Sequence, residues 1–75
     1  MAGLSDLTLR ELEILQLVLA GKTNKAIATL MGISAKTVEF HLGNIYTKVG
    51  VRTRMLAGLW AIQHGLAGEP REIPS

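Results

Sequence analysis

Apolar residues recur along the chain at helical spacing in four blocks, each opened by a threonine or serine and closed near a glycine. In the first block Leu12, Leu15, Val18 and Leu19 return every few residues behind Thr8 and Glu11, whose separation is that of a capping box, until Gly21 ends the pattern. A helix over 9–20 is predicted. Thr23 is placed to cap a second, short helix over 24–31 through NKAIATLM, which Gly32 would end in a left-handed turn. Ser34 caps a third over 35–49, in which Val38, Leu42, Ile45 and Val49 keep to one face before Gly50. Thr53 caps a fourth over 54–64, where Met55, Leu59, Ile62 and Leu66 form one apolar stripe, read as its buried face, around Gly65. The spacing predicts an all-α fold. Residues 1–66 would form one four-helix domain, and AGEPREIPS over 67–75, with both prolines, reads as a flexible tail or the start of a linker.

Composition narrows what such a domain does. At 75 residues it has a thin core and little room for a deep substrate pocket, while 48% apolar residues against 19% charged favour a folded globule. With no cysteine it has neither disulfides nor thiolate metal sites. No window of about 18 uninterrupted apolar residues suggests membrane spanning, and the N-terminus does not resemble a secretion signal, so a cytoplasmic setting is expected. The net charge of +2 conceals an asymmetry. Between 22 and 54, Lys22, Lys25, Lys36, Lys48, Arg52 and Arg54 face Glu39 alone, a net +5; the flanks set Arg10 and Arg71 against Asp6, Glu11, Glu13, Glu69 and Glu72, a net −3. A polyanion would prefer the middle.

Only GIS separates the second and third predicted helices, and so short a connection makes them cross steeply. Ala28 supplies a small side chain at the crossing, Gly32 the turn, and Ile33 and Val38 the corner beneath. This is the helix-turn-helix arrangement, in which the second of the two helices lies in the DNA major groove. At this point the sequence LTLRELEILQLVLAGKTNKAIATLMGISAKTVEFHLGNIYTKVGVRTR closely resembles the DNA-binding domain of LuxR-type (GerE-like) transcriptional regulators, a likeness extending from residue 7 to about 65. It is carried by Thr8, Arg10, Glu11 and Leu15, by GKTNKAIA with MGIS, by KTV, His41 and NIY followed by KVGV, and by Arg54. The resemblance implies a four-helix bundle containing a helix-turn-helix without a wing, sequence-specific binding of double-stranded DNA through the third helix, and a homodimer through the fourth. It also implies a receiver, ligand-binding or nucleotide-binding domain upstream in most members. Two departures are visible: Leu9 stands where the family usually has proline, and Ala26 replaces a usual glutamate, leaving the Thr23 cap without its reciprocal partner.

Glu39, Phe40 and Gly43 occupy the positions that the resemblance makes base-facing, and none is a cation. A carboxylate accepts from cytosine N4, an apolar ring touches a thymine methyl, and a glycine admits close approach to the groove floor. The plain alternatives are a solvated charge near a helix start for Glu39 and a neutral surface change for Gly43, while Phe40 sits two positions from both Val38 and Leu42 and reads as exposed. Phosphate contacts are expected from Lys22, Thr23, Asn24, Lys25, Lys36, Thr37 and Lys48, with Asn44 and Tyr46 as weaker candidates. Leu56 and Trp60, off the main stripe of the fourth helix, form either a second buried face or a dimer seam; Trp60 leans to the core and Leu56 to the interface. His41 reads as a packed histidine, no residue set suggests a metal or another cofactor, and GKT at 21–23 lacks the glycine and strand of a phosphate-binding loop. An enzyme is not expected. The competing function is a protein-interaction module that docks on RNA polymerase or another regulator, which steep salt dependence would separate from DNA binding.

Overall fold

The computed structural model describes residues 2–66, so the expected tail over 67–75 lies outside the described residues. A short 3-10 turn η1 (Leu4–Asp6) precedes four helices: α1 (Leu9–Leu19), α2 (Asn24–Met31), α3 (Ala35–Val49) and α4 (Arg54–Gln63). The pattern did not predict η1, which closes on itself through Gly3 N–H donating to Asp6 Oδ2 at 2.8 Å.

Each helix starts where a hydroxyl meets an orphan N–H. Thr8 Oγ1 accepts from Glu11 N–H at 3.0 Å while Glu11 Oε1 accepts from Thr8 N–H at 2.9 Å, completing the capping box. Thr23, Ser34 and Thr53 cap α2, α3 and α4 by accepting from Ala26, Thr37 and Leu56 N–H. Gly32 ends α2 at φ +70 and Gly50 ends α3 at φ +77, left-handed conformations that cost a side chain on any other residue. After Gly32 the Ile33 N–H bonds back to the Ala28 carbonyl at 3.0 Å, which seals the turn.

α3 packs against each of the other three helices. Its stripe of Val38, Leu42 and Ile45 is buried, with Val49 partly so, and meets Ile14 and Leu15 of α1, Ile27 and Ala28 of α2, Ala57 and Ala61 of α4, and Leu7. On α1 the deepest residues are Ile14 and Leu15, while Leu12, Val18 and Leu19 of the expected stripe only pack against the core's edge.

The fourth helix is turned relative to expectation. Met55, Leu59 and Ile62, read as its buried stripe, are 81%, 49% and 60% exposed, and only Leu66 packs at the core's margin. The buried side is Ala57, Gly58 and Ala61. Small residues let the α4 backbone lie close: a Cβ on Gly58 would stand 3.4 Å from Leu19 Cδ2. Periodicity weighted by side-chain size selects the larger residues, but close packing here selects the smaller ones.

Glu11 is the one buried charged residue in the described core. Its Oε1 receives both the Thr8 N–H and the Lys48 ammonium, the latter at 2.8 Å, with 5% and 38% of the two side chains exposed. The bond joins the start of α1 to the end of α3. Burial opposes the charge on Glu11, but the hydrogen bond from Lys48, that from Thr8 and the Lys48 charge outweigh it and hold the carboxyl below its usual value. A carboxyl with a lowered folded pKa stabilises above its unfolded value near 4.5 and loses that contribution as pH falls through the lower folded value. Acid titration of thermal stability is therefore expected to show a loss that begins around that pH in the native domain and is reduced in Glu11→Gln. Glu11→Gln is itself expected to cost about 1–3 kcal/mol at neutral pH, measured by urea unfolding.

Candidate nucleic-acid interface

The stripe that α3 gives to the core leaves a second face bare. Lys36, Glu39, Phe40, Gly43 and Thr47 fall at intervals of three, one, three and four residues and are all exposed, opposite Val38, Leu42 and Ile45. Phe40 is 65% exposed, as its position between the core residues requires, and its ring lies edge-on to the neighbouring His41 ring with centroids 5.9 Å apart. Glu39 makes no ion pair or side-chain hydrogen bond among the described residues. A Cβ built on Gly43 meets nothing within 4 Å, so nothing in the fold requires glycine there.

Exposed donors also stand at the starts of α2 and α3. Lys22 and Lys25 are exposed at the entrance of α2, and Lys36 is exposed in the first turn of α3. Thr23 Oγ1 is occupied as an acceptor by Ala26 N–H at 3.1 Å, which leaves its own proton to donate. The Thr37 hydroxyl is 2.9 Å from Ser34 Oγ, so it shares the α3 cap. Asn44 and Tyr46 are half-buried.

Two further expected phosphate ligands, Lys48 and Asn24, are tied to residues distant in the chain. The Lys48 ammonium is committed to Glu11. Asn24 Oδ1 accepts from Arg54 Nη1 at 2.6 Å, and Arg54 Nη2 also donates to the Lys22 carbonyl. In the sequence Arg54 is one of the basic residues of the middle segment and a position of the family resemblance, but no local pattern signals its contact with Asn24, 30 residues away.

On α4, Leu56 is 44% exposed at the flank of the bare face formed by Met55, Leu59 and Ile62. Trp60 is half-buried against the core and stacks on His64, ring centroids 4.1 Å apart, while His64 Nδ1 lies 2.8 Å from the Trp60 carbonyl oxygen. With Val18, Leu19, Gly58 and Arg54, the bare face forms a shallow apolar groove between the end of α1 and α4. Among the described residues no group of His, Asp and Glu is arranged to hold a metal, and no helix is long and apolar enough to cross a membrane.

Comparison with known proteins places these features in a family. The family of bacterial regulatory proteins described as luxR matches residues 5–61. The chain is 52% identical over 50 residues to the transcriptional regulatory protein TdiR of Thauera aromatica, covering 67% of this chain and 22% of that protein. It is 45% identical over 60 residues to the response regulator VraR of Staphylococcus aureus, covering 80% of this chain and 29% of VraR. The chain thus spans less than a third of the length of these relatives. Its fold matches that of VqmA in the crystal structure of the Vibrio cholera VqmA-ligand-DNA complex, with a TM-score of 0.78 and 38% identity over 85% of this chain and 28% of that one.

The open space at Gly43 gives a direct test of whether the fold needs it. Gly43→Ala is expected to raise the stability of the free domain by roughly 0.5–1 kcal/mol in thermal or urea unfolding, because alanine restricts the unfolded chain and clashes with nothing.

Proposed function

The chain belongs to the LuxR family of bacterial regulatory proteins, and on that premise we propose that it is the DNA-binding effector domain of a transcriptional regulator, with α3 in the major groove. The observation that carries this reading is the division of α3 into a buried apolar stripe and a bare face bearing Lys36, Glu39, Phe40 and Gly43. The major groove is about 12 Å wide and admits a helix with one face free. In this reading Glu39 accepts from a cytosine N4, Phe40 covers a thymine methyl, and Gly43 lets the helix axis lie closer to the base edges. Lys22, Lys25 and Lys36, with the donors of Thr23 and Asn24, hold the flanking phosphates. Specificity and affinity then reside on different residues.

So few cations per domain give weak binding, and affinity rises when two domains occupy adjacent half-sites. The bare face of α4 supports pairing: Met55, Leu59 and Ile62 expose a contiguous apolar surface that a two-fold copy of the same helix would cover, with Leu56 at its edge. Trp60, half-buried behind it, is assigned to the domain's own core margin. The VqmA structure contains DNA, and its match over most of this chain supports the same mode of use here.

Three substitutions separate phosphate contact, base readout and pairing. Lys36→Ala is expected to weaken binding to all duplexes alike and to reduce the slope of log affinity against log salt by about 0.9, the release of one phosphate contact; an unchanged slope removes Lys36 from the phosphate set. Glu39→Ala is expected to change preference at one base pair by about 1–3 kcal/mol with the slope intact, and an unchanged preference across a randomised site reduces Glu39 to a solvated charge. Leu59→Asp, on an exposed position, is expected to leave the melting temperature nearly unchanged yet weaken binding to paired half-sites by roughly 100-fold relative to a single half-site, checked by sedimentation and gel-shift titration.

A further inference from the structure

Arg54 is the first residue of α4, but its guanidinium bonds the start of α2 and the segment before it, donating to Asn24 Oδ1 at 2.6 Å and to the Lys22 carbonyl. A guanidinium carries five N–H donors and no acceptor. Only the oxygen of the Asn24 amide can answer it, which settles the amide's orientation: Nδ2 is turned away from Arg54 and has no side-chain partner among the described residues. The second bond occupies the Lys22 carbonyl oxygen, an acceptor that, left bare, is unfavourable beside a phosphate oxygen. With Thr23 Oγ1 already accepting from Ala26, the acceptors over Lys22–Asn24 are used internally and what remains outward is donors.

We propose that Arg54 is a positioning residue of the DNA-binding surface: it does not contact DNA itself, but fixes the Asn24 amide with Nδ2 outward and masks the Lys22 carbonyl, so that this segment presents donors alone to the phosphate backbone. The inference rests on the DNA-binding reading above. It requires the planar fork of arginine. A lysine keeps the charge, but its three donors sit on one rotating nitrogen and do not fix two acceptors in a single planar geometry. Arg54 also lines the apolar groove of α4, so the same side chain ties the face suited to a second copy to the residues that would meet phosphate.

The test compares the 75-residue chain with Arg54→Lys, Asn24→Ala and the double variant, on the tightest duplex that the wild-type chain recovers from a random pool, at several salt concentrations. Arg54→Lys is expected to weaken binding about ten-fold, the scale of one charge-assisted hydrogen bond, with the salt slope unchanged and a melting temperature within a few degrees of wild type. Asn24→Ala is expected to do the same, and the double variant to bind no more weakly than the worse single one. In nitrogen-resolved NMR spectra of the free proteins, Arg54→Lys should shift the Asn24 side-chain amide, a signature that a general loss of stability does not give.

Wild-type affinity in Arg54→Lys, losses that multiply in the double variant, or, in an added Arg54→Ala variant that removes the charge, a slope reduced by about 0.9 would each overturn the inference, the last by making Arg54 itself a phosphate ligand. Asn24→Asp guards against variants that fail to fold, because it keeps the acceptor for Arg54 and suits a helix start while replacing the outward donor. It is expected to remain folded and lose binding; wild-type binding by this variant overturns the inference as well. If the wild-type chain binds no duplex, the DNA-binding reading falls and takes this inference with it, whereas binding by wild type with unaffected variants overturns the role of Arg54 alone.

Discussion

Everything in this domain hangs on the burial of Val38, Leu42 and Ile45, one stripe of α3 that is shared by the other three helices. Each such side chain taken from water contributes about 1.5–3 kcal/mol, a large share of what a domain of this size has available. Because the stripe is narrow and its neighbours press on it from one side, α3 is fixed in rotation as well as in place. The residues between the stripe positions therefore have a defined outward direction, and Glu39, Phe40 and Gly43 are held out by the same contacts that make the core. A thin core and a presented face are two consequences of one packing arrangement.

Electrostatics divides along the same lines. Lys48, at the far end of α3, is drawn to the buried Glu11 and fastens the helix to α1, and Arg54 fastens the start of α4 to the start of α2. Lys22, Lys25 and Lys36 remain exposed near the helix-turn-helix. Basic residues that look alike in sequence thus fall into structural ties and free surface charges. The distinction matters for affinity, since only charges that neutralise phosphates release counterions.

Much of the fold was legible because it is locally encoded. Thr8, Thr23, Ser34 and Thr53 each cap a helix by bonding an N–H three residues on, and Gly32 and Gly50 close helices through their own left-handed conformation, so the four helix boundaries follow from short segments. The weak Thr23 cap expected from Ala26 still forms its forward bond. What the pattern mistook was the rotation of α4. Met55, Leu59 and Ile62 have the spacing of a core stripe, but the space beside α1 and α3 accommodates only Ala57, Gly58 and Ala61. Spacing alone does not tell a face turned to the domain's own core from one left for a partner. The ties of Glu11 to Lys48 and of Asn24 to Arg54 were equally hidden, because their partners lie 37 and 30 residues apart and meet only after the helices have packed. The outward direction of Phe40 was readable, since its separation from Val38 and Leu42 on a helix leaves it no place in the core.

The central claim is that the bare face of α3 reads duplex DNA, and selection from a randomised pool of duplexes by the domain itself tests it most directly, with the recovered sequences remeasured across a range of salt. The account predicts enrichment of a two-fold symmetric site whose affinity falls linearly with salt on logarithmic axes. Absence of enrichment at every salt concentration where the domain is folded would contradict it, and would leave the helix-turn-helix as a surface for docking on another protein.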